Sequence, residues 1–193
     1  MSGREIMGRF GLAAAALALT AAGAFAAETA VVRGGEKAVA IAERVEGAEE
    51  VKLTVTVGPD TYDFDQAIWC APVFVLKDGS RVDATTLPLR GRAAGWGEVE
   101  VNRVAWSKAA SAAVGGEHFT RFISAHAPSH VILPVPLGAV RFEARGGLTA
   151  PTGKGSCTFR VETGEFTRRE RAMRLKARAE GDLAALERLA AHR

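Results

Sequence analysis

Two histidines four residues apart, His126 and His130 in "ISAHAPSHVIL", are the densest pair of chemistry-bearing side chains in a sequence with only four histidines. On a helix that spacing puts both imidazoles on one face, where they can grip zinc. Pro128 lies between them and disfavours helix on either side. If the segment is extended, four residues span about 13 Å, whereas two nitrogens on one zinc lie within about 4 Å of each other. A shared metal is therefore excluded for this pair. No serine sits in a G-x-S-x-G elbow. "GGLTAPTGKGS" misses the phosphate-loop spacing and has Gly155 where Ser or Thr is required, so it reads as a turn. Asp60, Asp63 and Asp65 in "GPDTYDFDQAIWC" alternate like calcium ligands, although Ile68 and Cys70 stand where further oxygens are wanted. The same density of Asp, Gly and Pro fits a turn between strands, so calcium is the one cofactor left open. Trp69, Trp96 and Trp106 either stack on a ligand or pack in a core. Trp96, after the glycine- and charge-rich "RGRAAG", is the best placed for exposure.

Ordered elements must position these groups, and most of the sequence reads as strands. "VKLTVTV" (51–57) alternates, with Leu53 and Val55 on one face and Lys52, Thr54 and Thr56 on the other. "APVFVLKDGSRVDATTL" has the form of a hairpin turning at Asp78-Gly79. "GEVEVNRVAW" alternates again, and "HVILPV", "AVRFEAR" and "SCTFRVET" complete the set. In the last, Cys157, Phe159 and Val161 point to the core. Strands at this spacing predict a mainly β fold, an antiparallel sandwich rather than βαβ units. After Gly164 the composition shifts to Arg, Ala, Leu and Glu, which predicts two short helices broken at Gly181, with Asp182 capping the second. Leu183, Leu186 and Leu189 line one stripe of that second helix.

The N-terminus has the form of a secretory leader: Arg4 and Arg9, the apolar run Phe10–Ala26, and Ala24-Phe25-Ala26 as cleavage site. The expected divisions are a leader over 1–26, a lead-in over 27–48, a sandwich over 49–164 and a helical tail over 165–193. The apolar run is short for a membrane span, so the mature protein is expected to be periplasmic or secreted, without a span. The full chain carries a formal net charge of +3, and losing Arg4, Arg9 and Glu5 lowers it by one; nothing in that balance points to nucleic acid. Cys70 and Cys157 both fall in the exported part, where they form either a disulfide or two buried thiols.

Several segments in order resemble the NPCBM family of carbohydrate-binding modules over roughly Glu49 to Thr163. "ISAHAPSHVILPVPLGAVRFEARGGL" is similar to that family's G-T-H-A-x-S segment followed by a strand, a turn and an aromatic-centred strand. His126, Ala127 and Ser129 match the short segment, and Ser124 and Ala125 replace its Gly and Thr. Asp65, Ala67 and Trp69 fit a D-H-A-D-W stretch in which Gln66 and Ile68 replace the His and the second Asp. Trp96, Gly97, Val99, Val101 and Asn102 fit a W-G-x-V-x-V-N stretch. The resemblance implies a galactose-binding-like, jelly-roll β-sandwich that is non-catalytic and takes a carbohydrate or glycan partner. The expected ligand contacts are Asp65, Trp69, Trp96, Asn102, His126 and Ser129, with His126 at a corner where a loop enters a strand. A second reading, from the tail, is an interaction or scaffold module with a protein partner through residues 165–193. A hydrolase is the weakest reading, because no motif fixes a nucleophile or an acid–base pair.

Overall fold

The computed structural model describes residues 26–191, with side chains through residue 181 except at 174. The expected leader therefore lies, apart from Ala26, outside the described residues, as do the side chains of Leu183, Leu186 and Leu189. In chain order the strands are β1 (Ala26–Glu28), β2 (Val32–Arg33), β3 (Val39–Arg44), β4 (Glu50–Val57), β5 (Gln66–Leu76), β6 (Arg81–Asp83), β7 (Gly91–Ala94), β8 (Glu100–Val101), β9 (Ala112–Val114), β10 (Glu117–Phe119), β11 (Phe122–His126), β12 (Ser129–Pro134), β13 (Ala139–Leu148) and β14 (Ser156–Gly164). One helix, α1 (Phe166–Ala191), follows them.

The strands form two antiparallel sheets and a separate β9–β10 hairpin. The first sheet runs β1-β14-β4-β12-β7, with β2 also on β14; the second runs β3-β13-β5-β11-β8, with β6 also on β5. Leu53, Val55, Val131, Leu133, Phe159 and Val161 from the first sheet meet Trp69, Phe74, Ile123 and Phe142 from the second in one buried core. This is the expected sandwich, and Cys157, Phe159 and Val161 point inward as their alternation requires. A second, smaller core lies on the other side of the β5/β11 layer, where Ile68, Cys70 and Phe122 pack against Val104, Val114 and Phe119.

Three local differences from the sequence reading have physical causes. The strand expected in "GEVEVNRVAW" is only two residues long, Glu100–Val101, because Asn102 turns the backbone to φ 53° and ends it. β5 is a single 11-residue strand that begins before the expected hairpin. Ala71 there has φ 46°, and the pairing with β13 shifts register between Glu143 and Arg145. The bulge adds one residue, so Trp69 and Phe74, an odd number of positions apart, both reach the main core. The residues expected as a lead-in belong to the sandwich: β1 and β2 pair with β14, and β3 pairs with β13.

The tail is one helix rather than two, since α1 continues through Gly181. A single interior glycine costs about 1 kcal/mol relative to alanine, which the Ala-, Leu- and Glu-rich flanks offset. The helix is anchored at its start. Glu50, buried at the start of β4, accepts the Thr167 N–H at 2.9 Å and also the Thr167 hydroxyl, and Arg90 donates to it at 3.1 Å. The carboxylate thus takes up one of the N–H groups that a helix start leaves open. From Arg171 to Gly181 the described side chains are exposed. Among the described residues no helix is long and apolar enough to cross a membrane.

The two cysteines do not form a disulfide; both are free and buried. Cys157 faces the main core and Cys70 the second one, so the sulfurs point to opposite sides of the β5 layer and a bridge is geometrically closed to them.

Candidate functional site

Four connections meet at one end of the sandwich: β4–β5, β7–β8, β11–β12 and β13–β14. Backbone hydrogen bonds join them. Gly58 N–H donates to Ser156 O at 2.7 Å, Ala127 N–H to Asp65 O at 2.9 Å, Gly95 N–H to His126 O at 3.2 Å and Thr149 N–H to Gln66 O at 3.0 Å. Gly95 is needed for this closeness, because a Cβ there would lie 2.6 Å from the Pro128 ring and 2.7 Å from the Ala127 carbonyl oxygen. The Ala127–Pro128 peptide is cis and carries the chain from β11 in one sheet to β12 in the other.

At this end His126 closes β11, and its Nδ1 lies 2.8 Å from the Ala127 carbonyl. A carbonyl only accepts, so Nδ1 carries a proton and donates it, which leaves Nε2 as the ring nitrogen not engaged by that bond. The Tyr62 ring lies 4.6 Å from the imidazole, tilted by 42°, and the Trp96 ring lies 6.0 Å away at 71°. His126 is buried beneath these rings, while Trp96 is 57% and Tyr62 39% exposed. Phe64, also exposed, carries the Lys154 ammonium 5.8 Å from its ring centre. The exposed large aromatics among the described residues, Tyr62, Phe64 and Trp96, all lie on the β4–β5 and β7–β8 connections at this end. Partly exposed rings backed by a buried polar ring provide flat apolar faces beside hydrogen-bonding groups, a surface suited to ligands that combine both characters.

Asp65 holds the loops beneath the rings. It is fully buried, and its Oδ1 accepts the Ser156 N–H at 2.9 Å while Oδ2 has no hydrogen-bond partner. Burial, the largest influence, together with the neighbouring Asp60 carboxylate, raises the Asp65 carboxyl above its ordinary value against the pull of the Ser156 N–H and of His126. Asp60 accepts from the Ser156 hydroxyl, and Asp63 is exposed. The three aspartates therefore do not converge, and the described residues contain no group of three or more His, Cys, Asp or Glu side chains able to hold a metal ion.

Of the expected ligand contacts, Asp65, Trp96 and His126 come together here. Ser129 lies close by at the start of β12 but is buried between Val55 and Ala94. Trp69 does not reach the surface: it is 2% exposed and packs edge-on against Phe159 at 5.1 Å. Asn102 sits at the far end of β11, about 13 Å from His126 for four strand residues. There its Oδ1 accepts the Phe122 N–H at 3.0 Å and its Nδ2 donates to the Thr85 hydroxyl at 3.2 Å, a corner held by side-chain bonds. His130 belongs to the other sheet from His126, opposite Thr54 and Ala93. Tyr62 and Phe64 are absent from the sequence-derived set. Their signal was present in "TYDFD", where aromatics alternate with aspartates inside a turn that has no strand partner to bury them.

Searches of curated proteins and of solved structures find no match to the chain. A family model described as the NPCBM/NEW2 domain matches residues 80–181, from the β5–β6 turn into α1 and across more than half of the sequence. With the antiparallel sandwich and the resemblance carried by the His126 corner, this shows that the chain belongs to the NPCBM/NEW2 domain family.

Proposed function

We propose that this protein is an exported, non-catalytic module that binds a glycan or cell-surface polysaccharide through Tyr62, Trp96 and His126. Membership of a carbohydrate-binding-module family supports the ligand class. The single observation that carries the site is the two exposed rings, Tyr62 and Trp96, packed on the buried imidazole of His126. Pyranose faces stack on such rings, and His126 Nε2 and nearby main-chain groups supply hydrogen-bonding capacity for hydroxyls. Export rests on the leader-like N-terminus and is checked by the N-terminal sequence of the protein recovered from the periplasm or medium, expected near Ala27.

A glycan array on the protein from Ala27, followed by titration of the best hit, tests the binding. Trp96→Ala and Tyr62→Ala are each expected to weaken affinity about tenfold while leaving the melting temperature within a few degrees. A chelator is expected to change nothing, because Asp60 and Asp65 are both engaged with Ser156. Undiminished affinity in both aromatic variants would remove this cluster as the site.

The second reading, a protein-interaction module, is favoured by one observation: α1 leaves the sandwich after its first turns with Met173 and Leu175 exposed. Removal of residues 172–193 is expected to abolish partner capture or self-association under this reading and to leave glycan binding intact.

A further inference from the structure

A groove of about 500 Å³ runs between β7, the edge strand of the first sheet, and the first two turns of α1. Arg90, Arg92, His130, Thr167, Glu170 and Arg171 line it. Arg92 and Arg171 are exposed. Against three guanidinium groups stand the Glu170 carboxylate and the buried Glu50, which is bonded to Arg90, so the groove keeps a net positive charge. It contains no large apolar side chain, which disfavours a lipid-inserting surface. Guanidinium forks match the planar oxygens of carboxylate and the oxygens of sulfate. The strand that lines the groove also leads to the aromatic cluster: β7 ends at Ala94, one residue before Gly95 and two before Trp96, and the four residues from Arg92 to Trp96 span at most about 13 Å.

We infer that this groove binds the acidic substituents, carboxylate or sulfate, of the same polysaccharide whose rings stack on Trp96 and Tyr62, so that the ligand is an acidic glycan lying along β7. This rests on the glycan-binding reading above and adds the chemical class of the ligand. Arg92 and Arg171 supply the charge-assisted bonds, while Arg90 is held by Glu50 as the floor.

Calorimetric titration of the full folded chain tests it with four probes: a neutral oligosaccharide, a uronate oligosaccharide, a sulfated oligosaccharide and vesicles containing phosphatidylserine. One or both acidic oligosaccharides are expected to bind about tenfold or more tightly than the neutral one at about 20 mM salt. That advantage is expected to vanish near 0.5 M, as the Debye length falls from about 20 Å to about 4 Å. The exposed-site double variant Arg92→Glu/Arg171→Glu is expected to lose the acidic preference and keep neutral-sugar affinity, whereas Trp96→Ala weakens both. Neutral and acidic sugars binding equally at low salt would overturn the acidic groove and leave glycan binding standing. Vesicle binding without binding of any oligosaccharide would overturn both, and the salt dependence of the unmodified protein decides the matter even if the double variant folds poorly.

Discussion

Glu50 and Asp65 are both buried carboxylates, yet their surroundings drive them in opposite directions. Burial alone raises Glu50, but the Thr167 hydroxyl and N–H and the Arg90 guanidinium together hold its carboxyl below the ordinary 4.5. A depressed folded value gives stability that is present above the ordinary value and lost as pH falls through the folded one. Glu50→Gln is therefore expected to cost about 1–3 kcal/mol at neutral pH, with the gap to the unmodified protein closing in acid melts below pH 4.5. Asp65 is raised above its ordinary 3.8, so its contribution is present below that value and lost as pH rises through the folded one. Asp65→Asn keeps an acceptor for the Ser156 N–H and is expected to melt no lower than the unmodified protein at pH 7. Asp65→Ala, which leaves that N–H unpaired, is expected to lose about 1–3 kcal/mol. Equal acid sensitivity in both series would contradict this assignment. The sequence offered Asp65 as a ligand contact, but its burial and its link to Ser156, far away in the chain, are products of the assembled loops.

Among the elements, the start of α1, through Glu170, packs beside the sandwich and the described side chains from Arg171 on are exposed. Truncation after Gly164 removes Thr167 and strips Glu50 of two of its bonds; it is expected to lower the melting temperature by several degrees. Truncation after Arg171 keeps the anchor and is expected to leave that temperature nearly unchanged, and thermal melts of the two proteins compare them directly. A partner lost only with the longer truncation would then report damage to the sandwich rather than a docking surface. Strand alternation made β4, β13 and β14 legible in advance, because most of each strand buries one face, and β12 was legible as a short apolar run, Val131 to Leu133, buried on both faces. β7, β9, β10 and β11 were not legible: they are short, or like β11 buried on both faces, and carry no period of two. The bulge at Ala71 was hidden for a related reason, since only the partner strand shows that a residue is extra.

For the whole molecule, two core layers on either side of the β5/β11 sheet keep Cys70 and Cys157 apart. Burial pushes the Cys70 thiol up to about 12, and burial with the nearby Asp65 carboxylate raises that of Cys157 as well, so neither is a ready thiolate. Both are expected to react with a thiol reagent only in denaturant, and a reductant is expected to leave the melting temperature unchanged; rapid labelling of the folded protein would contradict this packing. Local pattern alone was enough for the β class, the inward face of Cys157, Phe159 and Val161, and the family resemblance. Those follow from the period within a segment and from the order of segments along the chain, both of which can be read without knowing which strands pair. Assembly was needed to establish that Trp69 is a core residue, that Tyr62 joins Trp96 around His126, and that the cysteines face different layers. Each of those depends on which distant strands become neighbours, and register between strands is set by packing that no single segment contains.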